Sequence, residues 1–438
     1  MKERIMHHTR PIHIIAIALL FFILTPPALR ADDWPQFRGP GGLSVAPDSA
    51  RIPTTWNSRN NIAWKAPLPG RGASSPVTFG KHAYITCYSG YGLSKEEPGE
   101  IENLTRHLLC IRLDDGRIEW KVDVPLPGKD HPEHTYTSYL TAHGYASNTP
   151  TVDATGIYAY FGTMGLIAYD HKGNKRWSVI CGKGRMNFGS GASPVFYKDW
   201  VIINADVEAS AMIAYAKSDG REVWRYAPDH EPNAWCTPLL TAANGRDELI
   251  CYGKRNEILS VDPAAGKLLW NASIAMPSYQ CPSFTAHDGV VYAIGNHPGN
   301  AVAIRLGGKG DVTASHKLWA INKGSVVSSP VYHDGYLYWT REEGGRLICV
   351  EAATGKVMYE HRLEPEVKKI YASPMLAAGN LYYVSQTEGT FVVEAKPEFK
   401  LIARNVIEDD DSPFFGSPAV AGDRLLLRSD KFLYCIGQ

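Results

Sequence analysis

The sequence carries no excess of charge of either sign. Its 438 residues include 45 Lys and Arg against 45 Asp and Glu, and no basic stripe runs along any segment. Nucleic-acid partners require clustered positive charge, so they are not expected. The hydrophobic share of 44% is typical of a large folded protein.

Sequence motifs for catalysis and metal binding are also missing. The chain has no C-x-x-C, no adjacent cysteine pair, no G-x-S-x-G, no H-E-x-x-H and no P-loop. These absences argue against common zinc, thiol-redox and hydrolase sites. His131, His134 and His143 remain as metal candidates for a hydrolase or lyase, although their spacing fits neither a helix nor a known zinc loop. The alternative is that they are solvated loop histidines.

The eight cysteines do not suggest a disulfide framework. Cys110, Cys349 and Cys435 recur at one inner-strand position that other repeats fill with alanine, which indicates a small buried slot. Cys236 and Cys281 precede adjacent inner strands. A disulfide between these two is one alternative, and two separate thiols are the other.

Helical periodicity is absent after the N-terminus, and a Ser/Thr-Pro step recurs instead. The successive gaps between its prolines are 74, 44, 44, 44, 48, 44 and 44 residues. The residues before these prolines are Ser75, Thr149, Ser193, Thr237, Cys281, Ser329, Ser373 and Ser417. A period in the forties with β-rich content is typical of four-stranded units, and eight copies predict an eight-bladed β-propeller.

A second repeat places an aromatic residue after a turn or a short strand lead-in in seven of the eight units. Strings such as DDGRIEW and SDGREVW put an Asp-Gly turn just before the aromatic strand. The aromatic residues are Trp64, Trp120, Trp177, Trp224, Trp270, Trp319 and Tyr359. We expect these rings to pack between neighbouring blades.

The two ends of the chain together make one unit. The last unit, from Pro418, has room for three strands, and residues 61–65 supply an aromatic-bearing strand with no unit before it. We predict that this N-terminal strand completes the last blade and closes the ring, which leaves no open sheet edge. The predicted propeller spans residues 60–438, with insertions at about 90–105 and 125–148, and residues 32–59 form a latch segment across one ring face.

Residues 1–31 have the pattern of an export signal. Basic residues precede an apolar run from Ile12 to Leu24, which is too short to span a bilayer comfortably, and Ala31 offers a cleavage site. The alternative is an uncleaved anchor. We therefore expect an exported protein, periplasmic or extracellular, that touches the membrane only through this segment.

These repeats resemble a known family. The hairpin, the Asp/Thr-Gly-Lys turn and the Trp are similar to the pyrroloquinoline quinone (PQQ) repeat, and WPQFRGP at 34–40 and YASNTPTVDATGIYAYFG at 145–162 resemble the secreted PQQ-like propellers of planctomycete-type bacteria. The likeness covers nearly all of the mature chain. It implies an all-β, eight-bladed propeller of four-stranded antiparallel blades. Quinoprotein alcohol dehydrogenases and the outer-membrane assembly scaffold BamB share that architecture, so the fold does not decide the function.

The resemblance implies two functions. We expect a non-catalytic, monomeric binding or assembly scaffold, BamB-like in architecture, with a protein, peptide or glycan of the cell envelope as its partner and no cofactor. The alternative is a PQQ-dependent dehydrogenase of an alcohol or sugar. The family's site implies adjacent cysteines over the quinone and Glu, Asn and Asp around Ca²⁺. This sequence lacks that cysteine pair, and no Glu-Asn-Asp set falls on matching positions.

A ligand site is predicted at one mouth of the propeller channel. In four blades an aromatic residue lies three positions before the repeat proline, beside polar neighbours. The candidate ligand-binding residues are Arg71, Asn148, Trp235, Tyr279, Gln280, Tyr371 and Phe415. The alternative is that these rings fill the channel as core.

Overall fold

The computed structural model describes residues 1, 33–127, 131, 143–184, 186, 188–276, 279–295, 300–341 and 344–437. The predicted export signal after Met1, residue His134 and most of the 125–148 insertion lie outside the described residues. In the part of the chain that is described, no helix is long and apolar enough to cross a membrane.

The described part of the chain forms eight sheets, antiparallel except for one short added strand, so the predicted eight-bladed β-propeller is confirmed. In chain order the first strand is β1 (Ile62–Pro67). Blades one to four contain β2 (Val77–Phe79), β3 (His82–Ser89), β4 (Thr105–Arg112), β5 (Ile118–Pro125); β6 (Thr151–Asp153), β7 (Gly156–Tyr160), β8 (Leu166–Tyr169), β9 (Lys175–Val179); β10 (Val195–Tyr197), β11 (Trp200–Ala205), β12 (Ala211–Ala216), β13 (Glu222–Tyr226); β14 (Leu239–Ala243), β15 (Arg246–Tyr252), β16 (Glu257–Asp262), β17 (Lys267–Ser273).

Blades five to eight continue the same order. Their strands are β18 (Thr285–His287), β19 (Val290–Ile294), β20 (Ala301–Arg305), β21 (Gly310–Asp311), β22 (Lys317–Ile321); β23 (Val331–His333), β24 (Tyr336–Arg341), β25 (Arg346–Glu351), β26 (Val357–Arg362); β27 (Met375–Ala377), β28 (Asn380–Val384), β29 (Thr390–Glu394), β30 (Leu401–Asn405); β31 (Ala419–Ala421), β32 (Arg424–Arg428), β33 (Phe432–Ile436). The short β21 joins blade four, parallel to β17. Among the described residues the helices are α1 (Asp206–Ala209), α2 (Thr313–His316) and the 3₁₀ turns Pro40–Gly42, Ile101–Asn103 and Gly162–Met164.

Blade eight is assembled from both ends of the described chain. Its sheet has the order β31-β32-β33-β1. Strand β1 pairs antiparallel with β33, with Trp64 opposite Cys435. The outermost strand of this blade therefore comes from the N-terminal part of the chain.

The outer strand of every blade contains a bulge immediately before its repeat position. In blade one, for example, Cys110 pairs with Trp120 and Ile111 pairs with Ile118, which leaves Glu119 as the extra residue. The same register shift occurs in the other seven blades. The bulge turns the repeat aromatic residue toward the next blade.

The repeat tryptophans pack against a glycine turn of the following blade. A Cβ atom on Gly220 would lie 2.7 Å from the Trp177 ring, and Trp177 Nε1 donates to the carbonyl of Lys217 at 3.0 Å. The same pair of contacts recurs at Trp64, Trp120, Trp224 and Trp319. Only a residue without a side chain lets the ring lie this close to the turn.

Trp270 departs from this pattern. Its Nε1 donates to Oε2 of Glu248 at 2.7 Å, and this carboxylate is fully buried. Oε2 also accepts from the Ser260 hydroxyl at 3.1 Å, while Oε1 pairs with Arg246 at 2.6 Å. In blade five, which follows Trp270, the chain between β20 and β22 contains β21 and α2, whereas other blades have a tight turn there. The Glu248 carboxylate, in the same blade as Trp270, therefore accepts the hydrogen bond that a turn carbonyl accepts elsewhere.

The segment before β1 crosses one end of the ring. Residues 34–46 hydrogen-bond to five blades: Thr78 N to Trp34 O, Val152 N to Pro35 O, Arg38 to the carbonyls of Phe284 and Pro330, and Ser44 Oγ to Pro374 O. Trp34, Arg38 and Ser44 are buried by these contacts. We call residues 34–46 the plug, because they cover the axis at this face.

Candidate functional site

A closed circle of eight hydrogen bonds surrounds the propeller axis. In each blade the backbone N–H of one residue donates to the hydroxyl of its counterpart in the next blade, at 2.9–3.1 Å. The circle runs through Ser75, Thr149, Ser193, Thr237, Ser283, Ser329, Ser373 and Ser417, and Ser417 donates back to Ser75. We call this the hydroxyl belt. It explains the Ser/Thr column, because each hydroxyl satisfies a buried backbone donor.

The belt corrects the sequence register in blade five. Cys281 precedes a proline and was expected in the Ser/Thr column, but Ser283 supplies the hydroxyl. Cys281 lines the axial cavity instead. A thiol is a weaker acceptor than a hydroxyl, so the serine two residues later takes the position.

Inside the belt lies a cavity of about 370 Å³. The plug bonds to blade residues at and after the Ser/Thr-Pro prolines, whereas Trp235, Tyr279, Tyr371 and Phe415 lie three positions before those prolines and so precede the belt. These two sets therefore lie on opposite sides of the belt. Phe37 of the plug lines the cavity from one side, and Trp235, Tyr279, Tyr371 and Phe415 line it from the other. The result is a blind cup with Phe37 as its floor, and we call it the aromatic cup.

The rim of the cup carries two groups of rings. Phe188, Trp235 and Tyr279 lie 5.1–5.6 Å apart between ring centroids, and Trp235 meets both neighbours edge to face. Trp235 Nε1 donates to the carbonyl of Gly189 at 2.9 Å, which fixes its orientation. Across the mouth, Tyr371 and Phe415 lie 6.3 Å apart. Aromatic surfaces therefore face each other over the opening.

Three of the seven candidate ligand residues do not line the cup. Arg71 pairs with Asp430 at 2.7 Å through Nε. The Asn148 amide donates to the Ser190 hydroxyl at 2.9 Å, and the buried Gln280 amide donates to a backbone carbonyl at 3.1 Å. These side chains hold neighbouring loops in place.

His143 belongs to the cup but is engaged through both ring nitrogens. Nε2 donates to the carbonyl of Phe188 at 2.7 Å, so Nδ1 is the acceptor for the Ser147 hydroxyl at 2.6 Å. Burial lowers the pKa of His143, which keeps the ring neutral. Metal binding through His143 would break one of these bonds. His131 is described but does not line the cup, and His134 falls outside the described residues.

Sequence reasoning missed Phe37, Phe188, Val326 and Val327, all of which line the cup. The sequence placed Phe37 in the latch segment, but did not predict that its ring reaches the propeller axis. Phe188 sits in a glycine-rich connection between blades two and three, where no repeat position marks it. Its only signal was an isolated aromatic residue in a polar loop.

The cup is lined by apolar and uncharged polar groups: besides the belt hydroxyls, its polar members are His143, Ser147, Tyr279, Cys281 and Tyr371. Among the described residues that line it there is no Asp, Glu, Lys or Arg, and its histidine is held neutral. Cavities of this kind bind uncharged, mainly apolar groups and orient them with a few hydroxyls.

A known family accounts for this architecture. A family model described as outer membrane protein assembly factor BamB matches residues 114–326 and 287–397, which together exceed half of the chain. The chain belongs to this family, PQQ_2. The PQQ_2 propeller has no match among curated proteins.

Solved structures share the fold of this PQQ_2 propeller at low sequence identity. BamB from Moraxella catarrhalis has a TM-score of 0.60 and 14% identity, over 85% of this chain and 96% of that one. Quinohemoprotein alcohol dehydrogenase from Comamonas testosteroni has a TM-score of 0.65 and 12% identity, over 94% and 82%. A europium-containing methanol dehydrogenase gives 0.61 and 11%, over 91% and 89%. At such identities the likeness establishes the fold alone.

Proposed function

We propose that this PQQ_2 propeller is a non-catalytic binding scaffold of the cell envelope, and that its aromatic cup receives an apolar or aromatic side chain of a partner protein. The observation that carries this proposal is the cup itself: rigid, closed at one end by Phe37, and rimmed by aromatic rings. Rigid aromatic anchors around an apolar pocket are typical of protein-binding hot spots.

A protein segment suits the cup better than a glycan. The floor and walls include Phe37, Val326 and Val327, which offer no hydrogen bonds to sugar hydroxyls. An extended segment with one large apolar side chain would bury that side chain while its backbone meets the belt hydroxyls and the loop carbonyls at the rim. The envelope location is supported by the family description and by the export-signal pattern of residues 1–31.

The lining of the cup does not fit a bound quinone cofactor. PQQ is a tricarboxylate, and Ca²⁺ takes carboxylate and carbonyl oxygens. The described lining residues include no carboxylate for the ion and no Lys or Arg for the acid groups. This donor set supports the scaffold over the dehydrogenase alternative.

The proposal is tested with peptides that carry a single Phe in a polar sequence, measured by isothermal titration calorimetry. Val327→Trp fills the cup, and Val357→Trp is the matched control because Val357 is exposed on the outer strand of blade six. We expect binding to wild type and to Val357→Trp, and loss of binding to Val327→Trp. Replacing the peptide Phe by Ala forfeits about 1.5–3 kcal/mol of burial, or roughly a tenfold to hundredfold loss of affinity.

Equal binding to both valine variants would contradict the proposal, because the cup would then take no part. A second arm incubates the protein with PQQ and Ca²⁺ and follows absorbance and mass. Stoichiometric PQQ binding that Val327→Trp abolishes would favour the dehydrogenase.

A further inference from the structure

Blade one brings three different potential metal ligands together on one face. His82 starts β3, Cys110 lies on β4, and Glu119 lies on β5. Their ligand atoms all lie within 4.8 Å of one another, and His82 Nε2 is 2.7 Å from Glu119 Oε2. This group is separate from the aromatic cup and shares no residue with it.

The outer-strand bulge creates this arrangement. Glu119 is the extra residue between the pairs Cys110–Trp120 and Ile111–Ile118, so the bulge sets its side chain beside the face that Cys110 occupies. The corresponding bulge residues of the other blades are Ala63, Arg176, Val223, Leu269, Leu318, Met358 and Ile402. Blade one alone has a carboxylate at this position.

We propose that His82, Cys110 and Glu119 form a zinc site with an open fourth position. An imidazole, a thiolate and a carboxylate are the ligand types that Zn²⁺ accepts, and three protein ligands leave one place for water. Ca²⁺ and Mg²⁺ prefer sets made only of oxygen, so the thiol selects against them.

The local geometry allows an ion to enter. His82 and Glu119 line an open groove at the surface, and their side chains are 32% and 48% exposed. Tetrahedral Zn²⁺ needs its N and O ligands roughly 3.3 Å apart, so the 2.7 Å contact must open by about 0.6 Å. Zn–S and Zn–N/O bonds place Sγ roughly 3.6 Å from the other two ligand atoms, so separations to Cys110, which reach at most 4.8 Å, must shorten. The partly exposed His82 and Glu119 side chains make this movement, because Cys110 is fully buried.

The groove also contains four basic side chains, Lys81, Arg112, Arg117 and Arg424. Arg112 pairs with Asp114 at 2.5 Å and Arg117 with Asp115 at 3.4 Å, so the site must hold the ion against the positive charge that remains.

Cys110 supplies the buried end of the site. It is fully buried, and it releases its proton when it binds the metal. Tyr84 lies opposite it on β3, and Tyr84 Oη contacts His171 Nδ1 at 3.2 Å. His171 Nε2 donates to the Asp153 carbonyl at 2.9 Å, so Nδ1 accepts the tyrosine proton. The wall behind the site is thereby fixed by the neighbouring blade.

The test uses the whole chain, stripped of metal with a chelator and titrated with Co²⁺ and then with Zn²⁺. We expect one metal per chain and a thiolate-to-cobalt charge-transfer absorption that Zn²⁺ displaces. Cys110→Ser should abolish the absorption, and Glu119→Gln should weaken binding at least tenfold. Cys435→Ser is the matched control, because Cys435 occupies the same strand position in blade eight, where the bulge residue is Ala63.

Glu119→Gln changes a half-exposed surface side chain, so it remains informative if Cys110→Ser fails to fold. Metal that stays bound in both variants belongs elsewhere in the chain and refutes the site. Absence of stoichiometric binding to wild type, or equal losses in Cys435→Ser and Cys110→Ser, would refute it as well.

Discussion

The contact between each repeat tryptophan and the next blade's glycine predicts a measurable difference between two otherwise similar substitutions. Gly220 and Gly289 have nearly the same positive φ, +75° and +73°. A Cβ on Gly220 would lie 2.7 Å from the Trp177 ring, whereas a Cβ on Gly289 would meet nothing within 4 Å. Alanine at both positions shares the strain, and Gly220→Ala adds a steric clash.

The two costs can be separated. Alanine in the left-handed region costs about 1–2 kcal/mol. Forcing the half-buried Trp177 ring aside costs roughly another 1–3 kcal/mol. We therefore expect Gly289→Ala to lose about 1–2 kcal/mol and Gly220→Ala about 2–5 kcal/mol of unfolding free energy, compared by urea denaturation at one temperature.

A double-mutant cycle identifies the partner. In a Trp177→Ala background the clash is absent, so Gly220→Ala should then cost no more than Gly289→Ala. Equal costs for the two glycine variants in the wild-type background would show that the backbone angle alone selects glycine. The packing argument between blades would then be wrong.

Three further outcomes are expected. Deleting residues 32–40 should lower the melting temperature, since Trp34, Pro35 and Arg38 hydrogen-bond to four blades; an unchanged melting curve together with lost partner binding would make this segment a docking element instead. Ser283→Ala should cost about 1–3 kcal/mol in urea denaturation because it leaves the Thr237 N–H buried without an acceptor, and Cys281→Ala should cost clearly less, whereas the reverse order would restore the register read from the prolines. Burial raises the pKa of Glu208 from 4.5 to about 7, so its folded form binds a proton more tightly than the unfolded chain, and the contribution of this one carboxyl to stability should fall by about 3 kcal/mol as pH rises from 4.5 through 7. Glu208→Gln should flatten that part of the pH profile of unfolding, and an unchanged slope would exclude this carboxyl as its source.

The repeats made the fold predictable. Each blade must make the same contacts with its neighbours, so the Ser/Thr-Pro step and the tryptophan recur at fixed places in the sequence. Eight copies of the step predict eight sheets. The exceptions are blades in which a different residue makes the equivalent contact. Trp270 bonds to Glu248 within its own blade, and Ser283 replaces Cys281 in the belt. The spacing of the repeats predicts neither of these two exchanged contacts.

The candidate site was only partly predictable. The sequence predicted four of the residues that line the cup, because each lies three positions before a repeat proline: Trp235, Tyr279, Tyr371 and Phe415. Phe188 reaches the same cavity from a connecting loop, whose path depends on tertiary packing. Cys236 shows the same limit: it and Cys281 are not joined by a disulfide, and its Sγ lies 3.7 Å from that of Cys251 on β15.

The hydroxyl belt has a consequence for incomplete chains. Every residue of the hydroxyl belt donates its backbone N–H to one neighbour and accepts an N–H from the other through its hydroxyl. Because the belt is closed, none of its amides is left without an acceptor. A truncated or half-translated chain lacks that property: where a blade is missing, one backbone donor and one hydroxyl acceptor lose their partners, at about 1–3 kcal/mol for each group that water does not reach. The closed belt therefore favours the complete ring of eight blades over a ring with fewer blades.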